Sequence, residues 1–346
     1  MTAFPAAMRI VSENRRVRER RQRLVIAMLL LLLASLFILS LSLGQSFTPP
    51  ADVLRVLLGE DIPGATFTIW QLRLPRALLG LLAGLSFGLG GVAFQVMLRN
   101  PLASPDIIGI SWGASAAAVF CIVVLSLGGP IVSMVAVAAG LAVALLVYAL
   151  SFRNGVAGTR FILVGIGVAA MLESCIAYIL SSAPAWTLQE AMRWLTGSLN
   201  SAQLAQSMPL SVVLAGCGGL LLMRARDLEA LRMGDDTAAA LGVQVAATRA
   251  IVILCAVGII ATATAVTGPI AFVAFLSGPI AARIVGSSGS LLIPSALVGA
   301  TLVLLGDYVG QFMLPGRYPV GVVTGALGAP YLIFLIVRLN RSGGSL

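Results

Sequence analysis

Two acidic residues, Glu173 and Asp307, lie within long apolar stretches of the 346-residue chain. Ionisable residues are costly inside a membrane, where they usually mark an ion or substrate pathway. We predict Glu173 near the middle of one span and Asp307 toward the outer end of another. A proton-coupled secondary transporter using Glu173, or an integral-membrane enzyme using either carboxylate, is therefore one interpretation of the chain.

Other reactive residue types are missing from the sequence. All 22 basic residues are arginines, and the chain has neither lysine nor histidine. Most nucleophile–base pairs therefore cannot be built, and a nucleotide-binding Walker A loop would lack its lysine. We expect no catalytic residues, no metal site and no cofactor on this chain, so any ATP and Mg would be held by a partner.

The composition excludes an ordinary soluble domain. Hydrophobic residues make up 59% of the chain, charged residues make up 10%, and the mean hydropathy is +1.03. Soluble domains carry about 25% charged residues. The net charge of +9 is spread between apolar runs, with seven arginines in the first 23 positions. We interpret these arginines as topology signals facing membrane lipid and predict no nucleic-acid partner.

Apolar stretches recur ten times along the chain, and a helix of about 20 such residues crosses roughly 30 Å of hydrocarbon. The sequence thus predicts an all-α polytopic membrane protein with about ten transmembrane helices. The predicted spans are 24–44, 74–97, 107–126, 131–151, 160–182, 207–223, 249–267, 270–285, 291–310 and 320–338. They form one transmembrane domain, 24–338, between an Arg-rich cytoplasmic segment, 1–23, and a cytoplasmic tail, 339–346.

The arginines also predict the orientation. With a cytoplasmic N-terminus and ten spans, 17 of the 22 arginines fall inside. The other arginines are Arg55, Arg73, Arg76, Arg193 and Arg317. This distribution agrees with the positive-inside rule, so we predict a multi-pass membrane protein with both termini in the cytoplasm. Three connections are long enough to be structured: 45–73 and 183–206 outside, and 224–248 inside. The second resembles an interfacial amphipathic helix.

Three motif blocks suggest a family. They are WQLRLPRALLGLLAGLSFGLGGVAFQVMLRNPLASPDIIGISWGA at 70–114, LEALRMGDDTAAALGV at 228–243 and YPVGVVTGALGAPYLIFLIV at 318–337. These blocks resemble the permeases of iron-siderophore and cobalamin ABC importers, the FecCD/BtuC-like family. Within that family, the RNG segment at 153–155 and the run from Gly165 are most similar to the ferric enterobactin type.

The resemblance implies a function and a set of partners. The chain would be the permease subunit of an ATP-driven importer for a ferric siderophore, with a cobalamin or haem importer as the alternative within the family. Its partners would be two ATPase subunits carrying ATP and Mg, a periplasmic or lipid-anchored substrate-binding protein, and a second permease. A paralogous second permease is favoured over an identical chain, and substrate would pass between the two.

Candidate docking residues lie at the predicted outer mouth. Arg73 and Arg76, three positions apart, would project a cationic pair able to engage carboxylates. The resemblance implies that these arginines receive glutamates of the binding protein. Headgroup-contacting anchors are the alternative. A third arginine of the family aligns with Gln311, and Arg317 nearby is the candidate substitute.

The predicted inner loop carries the candidate ATPase-coupling surface. Acidic residues suit a helix N-terminus, and small residues after them would let a short helix seat closely in a groove of another protein. The resemblance implies that this loop contacts the ATPase, whose closure would shift the spans as packed bodies. The candidates are Asp235, Asp236, Thr237, Ala238, Ala239, Leu241, Gly242 and Val243.

The candidate translocation pathway includes Glu173, Tyr178 and Thr324. Two other segments are predicted to be structural or divergent. The stretch 99–109 has two prolines, so we expect a non-helical connection leading into the third span. Gly278 and Pro279 stand where the family usually has Pro-His, so details of the eighth span do not transfer from the resemblance.

Overall fold

The computed structural model describes residues 3–105, 109–151, 158–286 and 289–341, and within these ranges the ordered elements are helices. The α-helices are α1 Ala3–Ser42, α2 Pro50–Leu57, α3 Ala65–Phe67, α4 Leu74–Met97, α5 Ile110–Val123, α6 Pro130–Ser151, α7 Gly158–Ser181, α8 Ala185–Leu195, α9 Ser207–Val213, α10 Gly219–Met223, α11 Ala225–Arg232, α12 Asp235–Ala240, α13 Val245–Thr267, α14 Val273–Val285, α15 Leu292–Tyr308 and α16 Val320–Arg341. A 3₁₀ turn covers Leu204–Gln206, and π-helical turns cover Thr68–Arg73, Leu214–Gly218 and Val309–Met313.

The ten predicted spans each correspond to an apolar helix or helix pair. Seven such segments are long and apolar enough to cross a membrane, and three are shorter: Ile110–Val123, Val273–Val285 and Val320–Leu335. The last of these segments is the first part of α16, which continues to Arg341. The all-α polytopic fold is therefore confirmed.

The helix α4 lies at the centre of the molecule and is buried along most of its length. Its most extensive neighbour is α15, and α13 and α14 pack on its other sides. A Cβ added at Gly84 would overlap the backbone of Ala300, and one at Gly88 would overlap the backbone of Ser295. Small residues four apart let membrane helices approach to backbone contact. The glycines of α4 thus position α15 directly against it.

The first helix is much longer than its predicted span. With 40 residues and 1.5 Å of rise per residue, α1 is about 60 Å long, so the helix continues from the apolar span back into the Arg-rich segment. Arg21 donates to the carbonyl of Ile284 at 3.1 Å, and Gln22 donates to the carbonyl of Ser290 at 3.0 Å. These bonds tie the extension to the connection between α14 and α15.

The Gly278-Pro279 departure has a local explanation. Pro279 lies inside α14 and has no N–H, so the carbonyl of Phe275, four residues earlier, loses its helical partner. The buried side chain of Gln95 on α4 donates to that carbonyl at 2.9 Å. A Cβ at position 278 would overlap the Gln95 Oε1 atom. Gly278 therefore leaves the room that Gln95 needs to replace the missing bond.

Candidate functional site

A cavity of about 580 Å³ opens beside α7, where the sequence predicted the translocation pathway. Among the described residues, its wall combines hydroxyl groups of α5 with aromatic rings and one carboxylate. The lining residues are Ser104, Ser111, Trp112, Ser115, Ile166, Ala169, Ala170, Glu173, Leu195, Pro269, Ala271, Phe272, Phe275 and Leu332. A mostly apolar pocket with a few convergent polar groups is typical of small-molecule sites.

Glu173 lies on the solvent-accessible face of α7 and lines this cavity. Within the described residues no hydrogen bond or ion pair to its carboxylate is found, and the neighbouring Ser174 hydroxyl donates to its own helix, at the carbonyl of Ala170. Tyr178, further along α7, is 78% exposed. Both side chains are exposed, but five positions along a helix of 3.6 residues per turn separate them by about 140° around α7, and only Glu173 lines the cavity.

Thr324, the third pathway candidate, lies elsewhere. It is buried at 4% exposure, and its hydroxyl donates to the carbonyl of Gly321 at 3.3 Å. Its methyl group packs against Gly306 of α15, and Thr324 is not among the cavity's lining residues. The structure thus leaves Glu173 and Tyr178 exposed on different sides of α7 and assigns Thr324 to the packing between α15 and α16.

Two glycine turns pack against each other next to Leu195 and Pro269, which line the cavity. Gly197 follows α8 with φ +66°, and Gly268 follows α13 with φ +72°, both in the left-handed region that favours glycine. A Cβ on either residue would overlap the backbone of the other segment, and the Ser198 N–H donates to the carbonyl of Thr267 at 2.7 Å. The end of α8 is therefore fixed against the end of α13.

Arg73 does not project from the predicted outer surface, in contrast to the expectation of an exposed pair. It is 8% exposed, and its guanidinium donates to the carbonyls of Leu41 at 2.8 Å and Ser42 at 2.9 Å. It also donates to Thr48 and to the carbonyl of Ser46. The last carbonyls of a helix lack intrahelical partners and carry partial negative charge. Arg73 thus caps the C-terminus of α1.

Arg76 forms a bidentate ion pair with Asp307 at the end of α15. The Nε–Oδ2 and Nη2–Oδ1 distances are both 2.6 Å, and the side chains are 22% and 12% exposed. Arg76 also donates to Asn200 at 2.9 Å, and Gln311 donates to the same amide oxygen at 3.3 Å. Asp307 is therefore a structural partner of Arg76, and this network joins α4, α15 and the segment after α8.

Arg317, the third docking candidate, is exposed in the connection before α16. The described residues give it no ion pair or hydrogen bond. At the predicted outer face the three candidates are thus in different states: Arg73 is buried, Arg76 is paired but accessible at its edge, and Arg317 is exposed.

The predicted inner loop folds as two short helices, α11 and α12. Asp235, the first residue of α12, accepts a bond from Arg249 of α13 at 2.8 Å and lies 3.5 Å from Arg99, which follows α4. Ala238 is fully buried. The start of α12 is thus connected to two membrane helices.

The other face of α12 is open. Asp236, Thr237, Ala239 and Gly242 are exposed, and Leu241 is 62% exposed. Val243 is half-buried. Gly242 adopts φ +85°, and a Cβ added there would meet open space. The predicted coupling residues therefore divide into an anchored side, Asp235 and Ala238, and an accessible, partly apolar side.

The connection 99–109 is partly described. Arg99 has φ 52°, and the Asn100 side chain accepts a bond from the Leu102 N–H at 2.8 Å, as expected for an Asn in a non-helical connection. Residues 106–108 and the RNG segment at 153–155 lie outside the described residues.

Sequence reasoning missed three polar residues that organise these sites. Gln95 and Asn200 were not singled out, and Arg249 was counted only as a topology signal. A signal existed for Gln95, because a glutamine within an apolar span needs a partner and α14 contains a proline. No comparable signal identifies Asn200, whose partners Arg76 and Gln311 are more than 100 residues away.

Comparisons with known proteins agree with this architecture. The FecCD transport family matches residues 30–338. The ferric enterobactin transport system permease protein FepG of Escherichia coli is 38% identical over 326 residues, covering 92% of this chain and 98% of FepG. The ferric enterobactin transport system permease protein FepD of the same organism is 36% identical over 322 residues, covering 91% of this chain and 95% of FepD.

A solved structure has the same fold. It is an inward-facing conformation of a transporter assigned to the metal-chelate type of ABC transporters, 27% identical, with a TM-score of 0.81 over 91% of this chain and 99% of that chain. The family match and the relatives above 30% identity extend along nearly the whole sequence. This chain, a multi-pass membrane protein, therefore belongs to the FecCD transport family.

Proposed function

We propose that this chain is the permease subunit of an ABC importer that moves a ferric siderophore across the cytoplasmic membrane. The observation that carries the proposal is its similarity, over more than nine tenths of its length, to both ferric enterobactin permease proteins of Escherichia coli. The cavity beside Glu173 supports transport of a sizeable substrate.

A second permease would cover the open face of α7. An acid at the centre of a lipid-exposed helix costs about 2.5–3.5 kcal/mol, and Glu173 lies on such a face of the isolated chain. A partner would convert this face into the wall of a pathway between two subunits. We favour a paralogue because two distinct permease proteins of one ferric enterobactin system are among the relatives.

Energy would come from two ATPase subunits, each with its ATP and Mg, docked below α12. The exposed Leu241 and the small exposed residues Ala239 and Gly242 supply a surface suited to a groove on another protein. The bonds of Asp235 to Arg249 and Arg99 would pass movement of α12 to α13 and α4. Both termini would be cytoplasmic, as the arginine distribution predicts.

A substrate-binding protein, periplasmic or lipid-anchored, would dock at the opposite face. Arg317 and the accessible edge of Arg76 are the cations available to its carboxylates in this conformation. Arg73 would join them only after release from the end of α1. We therefore assign the first contact to Arg317 and Arg76.

The proposal is tested by purifying the tagged chain in mild detergent from iron-starved cells and assaying ATPase activity in the eluate. We expect a second permease and a Walker A protein to co-purify, and ferric siderophore with its binding protein to stimulate ATP hydrolysis after reconstitution. A chain that purifies alone, with uptake that collapses with an uncoupler while ATP is maintained, would instead indicate a proton-coupled transporter.

A further inference from the structure

A second cavity, of about 570 Å³, lies between α6, α9 and α13. Its lining is apolar along α6 and α13 and polar toward α8. The lining residues are Ile122, Gly128, Gly129, Pro130, Val132, Ser133, Met134, Val137, Glu190, Arg193, Trp194, Ser198, Ser201, Gln203, Ala205, Gln206, Pro209, Thr262, Ala265, Val266, Thr267 and Gly268. We call it the α6–α9 groove. It shares no lining residue with the cavity beside Glu173.

The groove lies at a membrane boundary and opens toward lipid. α6 begins at Pro130 and α13 ends at Thr267, and both residues line the groove. Met134, on the lining, is 71% exposed, and Met208, next to the lining residue Pro209, is 72% exposed. Exposed apolar side chains on membrane-crossing helices face hydrocarbon. The mouth of the groove therefore faces acyl chains on one side and the headgroup layer on the other.

Most hydroxyl groups of the groove are already satisfied. Ser133 donates to the carbonyl of Ala265 at 2.7 Å. Thr262 and Thr267 donate to carbonyls of their own helix at 2.7 and 3.0 Å. These hydroxyl groups do not require a polar ligand, so the part of the groove between α6 and α13 is effectively apolar.

In contrast to these hydroxyl groups, two charged side chains at the α8 end of the groove have no partner among the described residues. Glu190 and Arg193, three residues apart on α8, both line the groove and are exposed. Among the described residues neither has an ion pair or a hydrogen bond to its side chain, and they do not pair with each other. The groove thus presents one anionic and one cationic group side by side above an apolar slot.

We propose that the α6–α9 groove binds one phosphatidylethanolamine molecule. Its phosphate would bind the Arg193 guanidinium, whose planar donors suit phosphate oxygens, and its ammonium group would donate to the Glu190 carboxylate. One acyl chain would lie along Ile122, Val132 and Val137. This inference does not depend on the transport substrate, since it concerns the lipid boundary of the chain.

The charges select among lipids. Phosphatidylglycerol offers a phosphate for Arg193 but no cation for Glu190. Phosphatidylcholine carries a quaternary ammonium that cannot donate hydrogen bonds to a carboxylate. Phosphatidylethanolamine alone of these three satisfies both side chains.

The test measures lipid retention by the purified full-length chain with native mass spectrometry, after exchange into palmitoyl-oleoyl phosphatidylethanolamine, phosphatidylglycerol or phosphatidylcholine. We expect preferential retention of one phosphatidylethanolamine, about tenfold weaker in Arg193→Gln and in Glu190→Gln, the scale of one lost charged hydrogen bond. Arg193→Lys should retain part of the binding. Arg55→Gln, an exposed outer-loop arginine that pairs with Glu60, is the matched control and should leave retention unchanged.

Two further variants keep the test decisive. Val137→Trp should abolish retention by filling the apolar slot while leaving both charges in place. In nanodiscs, phosphatidylethanolamine brominated on its acyl chain should quench the wild-type tryptophan fluorescence more than that of Trp194→Phe. Equal retention of the three lipids, or retention indifferent to both Arg193→Gln and Glu190→Gln, would overturn the proposal. Displacement by acyl-free glycerophosphoethanolamine would also contradict it, since it would show a headgroup site without a chain slot.

Discussion

Gln95 supplies from α4 the hydrogen bond that Pro279 removes from α14. A buried carbonyl without a partner costs about 1–3 kcal/mol, so the Gln95 side chain and the proline form a matched pair on different helices. The pairing also explains why position 278 is glycine, because any side chain there would occupy the place of the Gln95 amide.

We predict that Gln95→Leu lowers the free energy of unfolding by about 1–3 kcal/mol, because the Phe275 carbonyl is left unsatisfied. Adding Pro279→Ala restores a helical N–H donor to that carbonyl and should recover most of the loss. The measurement is a double-mutant cycle on the purified chain by denaturant titration in detergent. Additive effects of the two substitutions would show that they do not share this carbonyl.

Glu173 provides a second prediction at this scale. We expect Glu173→Gln to reduce siderophore uptake about tenfold, the effect of losing one charged contact to a substrate or partner, with expression unchanged. Ser174→Ala is the matched control, because the Ser174 hydroxyl bonds only within α7. Uptake is measured with labelled iron chelate in whole cells. Unchanged uptake in Glu173→Gln would remove this residue from the pathway.

At the scale of elements, three glycines of α4 determine how closely its neighbouring helices pack against it. Gly84 and Gly88 allow backbone contact with α15, and Gly91 allows the same with α14. Such packing provides van der Waals contact between the helices. This contact matters because the hydrophobic effect does not drive helices together within lipid.

We predict that Gly88→Leu prevents stable folding, because the new side chain would have to displace the backbone of α15. Overpacking by a single side chain typically costs about 1–3 kcal/mol and more where only backbone could move. Gly167→Leu on the exposed face of α7, where nothing lies near the added Cβ, is the control. Thermal aggregation of the isolated chain in detergent distinguishes the two, and equal midpoints would refute the packing argument.

The helix α12 allows a prediction about coupling. Ala240→Arg adds a bulky cation to the exposed face and should reduce co-purifying ATPase at least about tenfold, since a buried unpaired charge costs several kcal/mol at an interface. Ala240 lies in regular helix, so the substitution avoids the backbone strain that Gly242→Arg would introduce at φ +85°. Ala185→Arg, on α8 at the opposite face, should leave ATPase binding intact.

Hydropathy and arginine placement were sufficient to predict the helical elements, because each span must be apolar along about 20 residues. They did not predict where helices shorten or change pitch. The π-helical turns at Thr68–Arg73 and Val309–Met313 depend on contacts with distant segments. The part of α1 that precedes residue 24 contains polar residues, so hydropathy assigns it to a separate segment.

At the scale of the whole molecule, the uncovered face of α7 determines what the chain requires from a partner. Met171 and Tyr178, seven residues apart, share one exposed side of α7, and Glu173 is exposed on another side, which lines the cavity. A second permease placed there would remove the carboxylate from lipid and complete the pathway.

We predict that Tyr178→Cys in the assembled transporter cross-links to the proposed second permease through a short reagent that has a thiol-reactive group at one end and a photoreactive group at the other, because the Tyr178 side chain is 78% exposed on α7. The background should have Cys175 replaced, since it is exposed on the same helix. Met208→Cys, exposed on α9, which packs mainly on α4 and α13 rather than on α7, should not cross-link. Gel mobility of the complex provides the measurement, and the reverse pattern would relocate the interface.

The assembly of the sites was less predictable than the fold. The sequence placed Arg73 and Arg76 at one mouth because of their spacing, but spacing alone could not tell which cation meets a helix end and which meets an acid. Arg73 donates hydrogen bonds to backbone carbonyls of α1, and Arg76 pairs with Asp307, 231 residues later. Contacts of such separation follow from the packing of α4 with α15, which no local pattern encodes.

The capping of α1 by Arg73 also bears on how the chain is synthesised. Arg73 lies 31 residues after Ser42, so the first span leaves the ribosome well before the side chain that completes it. Until then the Leu41 carbonyl lacks its Arg73 donor, whereas the Ser42 carbonyl can already accept from the Thr48 N–H, as it does in the folded chain. We therefore expect the end of the first span to reach its final structure only after the start of α4 has been inserted.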